Sequence, residues 1–424
     1  MRTSPDLARR LADPVTTLLG AELPIRIRAW DGSEVGPAGA PVAVVRSRRA
    51  LRRLAWSPGE LGLARAYVTG DLDVDGDLED GFRRVRAFAR DHGTSIHLGP
   101  RDYAHALGAA VRLGAIGLPP RTPASEARVA GRLHSRTRDS AVIAHHYDLS
   151  NEFYELVLDE NMAYSCAYWT SDEPTYSLAD AQRDKLELVC TKLGLEPGMR
   201  LLDVGCGWGS LSIHAARFHD VRVTGVTLSR EQLDFARKRA ADLGLTDRID
   251  FRLQDYRDIA DGPYDAAASI EMGEHVGDAQ YPHFVANLFR LLRDRGRLLV
   301  QQMSRGSAAP GGGPFVEAYI APDMHMRPVG ETVGLLEGGG FEVRDVHALR
   351  EHYARTARAW RATFEHHWDD AVALVGEETA RVWRLYLVAG VLAFEERSMG
   401  VDQILAVKPD AAGATGMPRT RAER

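Results

Sequence analysis

The sequence predicts a doubly wound α/β sheet preceded by a smaller α+β domain, and three observations carry that prediction. Beyond Lys185, apolar runs of strand length alternate with amphipathic helical stretches. The first such run ends in Leu201-Leu202-Asp203-Val204-Gly205-Cys206-Gly207-Trp208-Gly209, where three glycines at alternate positions let the backbone turn tightly before a helix begins. Residues 1 to about 120 show no such alternation and mix short helical and extended segments.

With 424 residues, 45% of them hydrophobic and 26% charged, the chain has the composition of a globular enzyme with one large core and a second, smaller one. Leu7 to Leu19 has helical apolar spacing, Ile25 to Trp30 alternates like a half-buried strand, and Val42-Ala43-Val44-Val45 reads as another. The aspartates of Asp71-Leu72-Asp73-Val74-Asp75-Gly76-Asp77 alternate as in a calcium loop. The terminal Glu and flanking helices of such a loop are missing, so no metal is expected there. Ala104 to Leu118, rich in Gly and Ala, is a helix that suits a membrane surface or a buried position equally. The proline- and arginine-rich stretch after it is a linker, 121–140, between an N-terminal accessory domain (1–120) and a catalytic domain (141–408). The tail, 409–424, is expected to be disordered.

Two aromatic, aperiodic segments open the catalytic domain: Ala144-His145-His146-Tyr147-Asp148-Leu149-Ser150-Asn151-Glu152-Phe153-Tyr154 and Met162-Ala163-Tyr164-Ser165-Cys166-Ala167-Tyr168-Trp169. Such stretches ahead of a core suit a lid or a substrate wall, with a purely packing cap as the plainer reading. Strands are then expected at 199–204, 221–226, 248–253, 264–270 and 296–303, with helices at 208–218, 229–243 and 280–294. Phe341 to Ala348 and Gln403 to Val407 supply two late strands, separated by helices at 353–375 and 377–396. The glycines of Ser304 to Pro314 suit a loop that gates a pocket.

Several function classes fall away on composition. No apolar run reaches the length of a membrane span, and Met1-Arg2-Thr3-Ser4-Pro5-Asp6 lacks the apolar core of a secretory signal, so a cytoplasmic location is expected. The three cysteines, Cys166, Cys190 and Cys206, offer neither a disulfide framework nor paired metal-ligand spacing, and no metal is expected. Residues 1–140 carry 22 Arg against 16 Asp plus Glu, although the whole chain has a formal charge of −6. A basic front half can face anionic headgroups, but arginine is abundant throughout, so the charge alone assigns no partner and no nucleic-acid role is expected.

The glycine turn narrows the ligand. Its spacing is G-x-G-x-G, with Ser210 where a dinucleotide fingerprint needs its last Gly or Ala, which argues against hydride transfer. S-adenosylmethionine (SAM) fits better: it has no phosphate to seat, and its amino and carboxylate groups can meet Asp203 and the loop amides. A strand-to-helix turn without any ligand is the competing reading. The alternating layout is also typical of class I SAM-dependent methyltransferases, whose final strand runs antiparallel.

Taken together, several blocks resemble the cyclopropane-fatty-acyl-phospholipid synthases and their relatives that methylate unsaturated lipid chains. They are His146-Tyr147-Asp148 with Asn151, the segment Tyr164 to Trp169, the glycine turn, Gly225-Val226-Thr227-Leu228-Ser229 with Gln232, Gln254-Asp255-Tyr256-Arg257-Asp258, Glu271-Met272-Gly273-Glu274-His275-Val276-Gly277, and Tyr319-Ile320-Ala321-Pro322. Many methyltransferases end their second strand in an acidic residue, whereas this chain has Thr227 and Ser229 there, as this family does. The resemblance makes Tyr164, Ser165, Asp203, Gly205, Gly207, Thr227, Gln232, Gln254 and Asp255 the SAM-binding residues. In the family a Cys, a Glu, a His and a Tyr surround a bicarbonate ion that takes up a proton. Cys166, Glu274 and Tyr353 stand at the matching positions here, but Gln301 replaces the His and Met303 stands where an Ile is common. His275, next to Glu274, reads as a structural histidine.

The chemistry so implied is demanding. An alkene is a feeble nucleophile, so the sulfonium methyl must be held in line with it in a dry site, and the carbocation that results needs aromatic faces or a carboxylate nearby. With Gln301 in place of a titratable His, the expected product is a methylene-branched fatty acyl chain in membrane phospholipid, which a separate reductase would convert to a methyl branch. The alternatives are a cyclopropane synthase, a methyltransferase for a soluble small molecule, and a lipid-binding or regulatory protein that keeps SAM as a structural ligand. Contact with the inner face of the membrane would be peripheral, and the resemblance leaves room for bicarbonate and for a homodimer.

Overall fold

The structure, a computed structural model, describes residues 7–19, 21–92, 108, 111, 113–115, 117–127, 131, 138, 150–306 and 311–420. The segment His145-His146-Tyr147-Asp148, most of the 104–118 and 121–140 stretches and the centre of the 304–314 loop lie outside the described residues. The chain forms two compact units: Met1–Glu126 with Val375–Leu392, and Ala127–Leu374 with Ala393–Arg424.

In the first unit, helix α1 (Leu7–Leu19) precedes strands β1 (Arg26–Arg28), β2 (Glu34–Val35) and β3 (Val42–Val45). Helices α2 (Arg48–Trp56) and α3 (Glu60–Val68), strand β4 (Leu72–Asp75) and helix α4 (Leu78–Asp91) follow. The sheet order is β2-β1-β3-β4, with β3 and β4 antiparallel and Val45 opposite Leu72. Its small core gathers Ala8, Leu11, Ala29, Val45, Ala50 and Ala66. The acidic alternation that mimics a calcium loop is strand β4 and its flank, and its carboxylates are matched to arginines. Asp71 accepts from Arg49 and Arg53 at 2.9 and 3.0 Å, Asp73 from Arg46 and Arg381, and Asp75 from Arg28. Arg381 also donates to the carbonyls of Tyr67 (2.7 Å) and Leu72 (3.1 Å), which is why a helix so late in the sequence completes this unit.

The second unit begins with helices α5 (Asn151–Val157) and α6 (Leu178–Leu193). A capping box between Ser177 and Asp180 starts α6, and Gly194 in the left-handed region (φ 60°) ends it. Strand β5 (Arg200–Val204), helix α7 (Ser210–Phe218), strand β6 (Arg222–Thr227), helix α8 (Arg230–Asp242), strands β7 (Ile249–Leu253) and β8 (Tyr264–Ile270) and helix α9 (Tyr281–Leu291) form the wound half. Strand β9 (Leu292–Ser304), helices α10 (Pro314–Tyr319) and α11 (Val329–Gly338), strand β10 (Glu342–Ala348), helix α12 (Arg350–His366) and strand β11 (Gly400–Val407) complete it, while the helical stretch Trp368–Glu395, broken at Gly376 (φ 78°), lends its Val375–Leu392 part to the first unit.

The seven strands run in the order β10-β11-β9-β8-β5-β6-β7. Neighbours from β9 to β7 are parallel, and β11 lies antiparallel between β9 and β10, with Gln403 opposite Gln301. The sheet is buried on both faces, so its strands carry unbroken apolar runs. Leu201 packs on one side with Leu186, Val189 and Leu193, while Leu202, one residue on, packs on the other with Phe284, Val285 and Leu288. Beyond Val407 the chain stays tied to the sheet: Asp410 accepts from Arg295 Nε at 2.8 Å and from the backbone N–H groups of Ala412 and Ala414.

Candidate active site

The carboxyl ends of β5, β6 and β8 open on a cavity of about 170 Å³, at the edge where parallel sheets hold ligands. The glycine turn forms one wall. Gly205 (φ 78°) and Gly207 (φ 53°) both adopt the left-handed region. A Cβ on Gly205 would stand 2.9 Å from Met272, whereas one on Gly207 would meet nothing within 4 Å and would project into open space. The turn therefore presents bare backbone to whatever fills the cavity. Asp203, buried at the end of β5, accepts from Ser212 Oγ at 2.7 Å, and burial pushes its carboxyl up to about 6.

Tyr164, Ser165, Asp203, Gly205, Gly207, Thr227, Gln232 and Gln254 all line the cavity. Thr227 Oγ1 donates to Gln232 Oε1 at 2.9 Å and accepts from Ser229 N, so the residues where other methyltransferases carry an acid form a neutral, self-satisfied group. Asp255 departs from expectation. Its carboxylate is occupied by Arg257 (2.6 and 2.8 Å), and its neighbours Tyr256 and Arg257, not Asp255, line the cavity. Lys185 joins the lining as a residue that sequence reasoning missed. It is buried, donates to Ser165 Oγ at 2.9 Å, and burial lowers its pKa while Glu271 and Asp159 oppose that shift.

Around the end of β8, Cys166, Gln301 and Tyr353 come together about the carboxylate of Glu271 rather than that of Glu274. Glu271 Oε1 accepts from Cys166 N (2.8 Å) and Gln301 Nε2 (2.9 Å), and its Oε2 accepts from Tyr353 OH (2.6 Å). Glu274 does not share these donors. It accepts from Met303 N at 2.9 Å, and its Oε2 has no hydrogen-bond partner among the described residues. The correction has a backbone cause: Glu271 directly follows β8 with φ 52°, a left-handed conformation unusual for a residue with a side chain, and that conformation fixes where its carboxylate can reach.

The orientation of Gln301 is set from behind. Gln403 Nε2, opposite it on β11, donates to Gln301 Oε1 at 2.9 Å, which leaves the amide N–H₂ of Gln301 for Glu271. Cys166 contributes its backbone N–H. Its thiol donates toward the carbonyls of Ala167 and Leu349, and burial together with Glu271 holds its pKa far above the ordinary thiol range, so the sulfur stays protonated. Tyr353 stacks on Phe394 at 4.2 Å.

Two carboxyls thus share the site in unlike surroundings. Burial and the nearby charge of Glu271 push Glu274 up to about 8, so it keeps its proton at neutral pH. Burial also raises Glu271, but hydrogen bonds from Tyr353, Cys166 and Gln301 pull the other way, and these favour the ionised form. Of the two, Glu271 is the one whose three donors favour the ionised form.

Mycolic acid cyclopropane synthetase is the description of the family that matches residues 134–404. A probable fatty acid methyltransferase of Mycobacterium tuberculosis (strain ATCC 25618 / H37Rv) is 41% identical over 411 residues, covering 93% of this chain and 93% of that protein. Tuberculostearic acid methyltransferase of the same strain is 33% identical over 406 residues, 93% of this chain and 90% of its own. The crystal structure of the mycolic acid cyclopropane synthase CmaA1 complexed with SAH superposes with a TM-score of 0.60, at 32% identity over 63% of this chain and 98% of that one. By sequence over most of its length, and by fold over the unit that holds the cavity, this chain belongs to the cyclopropane synthase family of SAM-dependent methyltransferases.

Proposed function

We propose that the enzyme methylates the cis double bond of an unsaturated fatty acyl chain in membrane phospholipid and releases a methylene-branched chain, the substrate for a separate reductase. The observation that carries this reading is the Glu271 carboxylate held by Cys166, Gln301 and Tyr353. In the family resemblance an anion with the same kind of surroundings takes up the proton. Here a side chain of the protein fills that role, and no bicarbonate is required. A relative that matches along nearly its whole length and is named for tuberculostearic acid supports the same direction.

SAM supplies an electrophilic methyl, and the residues that would hold it are Asp203, the bare backbone at Gly207, and the Thr227–Gln232 pair. Once the alkene carbon bonds to that methyl, the neighbouring carbon of the acyl chain carries the positive charge. The rings of Tyr164, Trp360 and Tyr353, with centroids 5.2 and 6.0 Å apart in succession, offer faces that stabilise it. A hydride then moves from the methylated carbon to its charged neighbour, and the charge passes to the methylated carbon. Glu271 takes a proton from the new methyl, the C–H electron pair becomes the exocyclic double bond, and a neutral carboxyl remains. Ring closure uses the same proton but removes it before the hydride moves. Which product forms therefore depends on whether the hydride moves before Glu271 takes the proton.

The first unit would serve in docking, as an accessory domain to the catalytic one. Arg46, Arg48, Arg49 and Arg52 surround a concavity beside Trp30, and Trp56 is 59% exposed, a combination suited to anionic headgroups at the inner membrane face. Among the described residues no helix is long and apolar enough to cross a membrane. The test is product analysis with the full chain, SAM and liposomes of cis-unsaturated phospholipid in bicarbonate-depleted buffer. Undiminished turnover and vinylic proton signals of an exocyclic methylene are expected. Upfield cyclopropane signals, or a rate that returns only when bicarbonate is added, overturn the proposal.

A further inference from the structure

Away from the cavity, helix α6 and the end of helix α7 bring three metal-binding side chains together, with a fourth beside two of them. Cys190 Sγ and ring nitrogens of His214 and His219 all lie within 4.8 Å of one another. Glu187 closes the group, its Oε2 standing 3.1 Å from His214 Nε2 and 3.0 Å from His219 Nε2. We propose that Glu187, Cys190, His214 and His219 bind a divalent transition ion of zinc type. None of the four lines the cavity.

The spacing and the donor set both suit such an ion. Glu187 and Cys190 are separated by two residues on α6, and His214 and His219 by four at the end of α7, which is the pair-plus-pair spacing of structural zinc sites with one cysteine replaced by a carboxylate. A tetrahedral ion with bonds of about 2.0–2.3 Å sets its ligand atoms roughly 3.3–3.8 Å apart; the Cys190, His214 and His219 donors lie within 4.8 Å of one another, and Glu187 Oε2 stands 3.0–3.1 Å from the two imidazoles, so rotamer adjustments bring the set toward that geometry. Two imidazoles aim at one carboxylate oxygen beside a fully buried thiol with no disulfide partner. Glu187, 51% exposed, provides the entry path that the buried thiol and His214 lack. Binding would form a metal–sulfur bond and release the Cys190 thiol proton to solvent, the histidines binding as neutral imidazoles. The ion would tie α6 to α7 over a core that already holds Val189, Leu193, Ala215 and Ala216.

Cobalt titration of the chelator-stripped full chain tests this directly. One equivalent of Co²⁺ is expected to give the strong visible bands of tetrahedral coordination and a near-ultraviolet thiolate-to-cobalt band, both abolished by Zn²⁺ competition. Cys190→Ser should remove the thiolate band. His219→Ala, near the surface and outside the packed core, should weaken cobalt binding by more than the ~10–100-fold that a second-shell change costs. Zn²⁺ should raise Tm in the parent chain and not in His219→Ala, with unchanged SAM affinity by calorimetry showing that the variant is folded. A parent chain that gives no tetrahedral spectrum, or a spectrum that survives in folded His219→Ala, overturns the site.

Discussion

One wall of the cavity is built by a single short stretch, Asp203 to Trp208, whereas Glu271, which also lines it, is held by Cys166, Gln301 and Tyr353 from three other parts of the chain. At the glycine end the essential property is bare backbone in the left-handed region, with open space where a Cβ at Gly207 would stand. At the Glu271 end it is a set of side-chain and backbone donors aimed at one carboxylate. A fault at the first end should appear as lost cofactor affinity, and a fault at the second as lost rate or altered product.

The sharpest way to break that division is Glu271→Ala. Removing the proton acceptor should lower kcat on unsaturated phospholipid by roughly 10³-fold, within the range of general-base losses, while SAM affinity by calorimetry stays within a few-fold of the parent. A parallel collapse of SAM binding would show that the two ends are one. Next in size, Gly207→Val should cut SAM affinity by about 100-fold, some 2.7 kcal/mol, and leave kcat at saturating SAM close to the parent value.

Asp203 gives a pH-dependent version of the same test. Its folded pKa of about 6 lies above the unfolded value near 3.8, so the folded chain binds that proton more tightly. The penalty is absent below pH 4, grows through the interval, and is complete above pH 6. Asp203→Asn should therefore stabilise the SAM-free protein at pH 8 by an amount on the order of 2 kcal/mol, with no gain at pH 4, while weakening SAM binding. Thermal melts at the two pH values check it. The smallest effect is expected from Gln301→His, which should keep turnover and raise the proportion of ring product by up to about 10-fold, the worth of one hydrogen bond, as read by NMR.

The seven strands were legible because a doubly wound sheet writes long apolar runs between glycine and capping residues, and the glycine turn because its function is local. Cys166, Gln301 and Tyr353 were legible only through the resemblance. Glu271 was not, although it stands three residues from the carboxylate that was chosen: a left-handed φ at a non-glycine residue leaves no mark in composition or periodicity. Asp255 is bonded by Arg257 two residues on, a contact that spacing does not reveal. The helix Val375–Leu392 belongs with the first unit through Arg381, and no sequence rule links position 381 to Tyr67. The Glu187–Cys190–His214–His219 group escaped because a search for paired cysteines overlooks mixed pairs.

The placement of β11 has a consequence for how the enzyme comes into being. The strand that fixes the Gln301 amide is the last of the sheet, inserted between β9 and β10 and contributed by residues 400–407. A ribosome-bound chain that has released everything up to β9 already owns its glycine turn and the Thr227–Gln232 pair, yet lacks Tyr353 and the residue that orients Gln301. On the proposed mechanism, cofactor capture can therefore precede catalytic competence during synthesis, and the Glu271 carboxylate gains its full set of donors only when the carboxyl-terminal strand has closed the sheet.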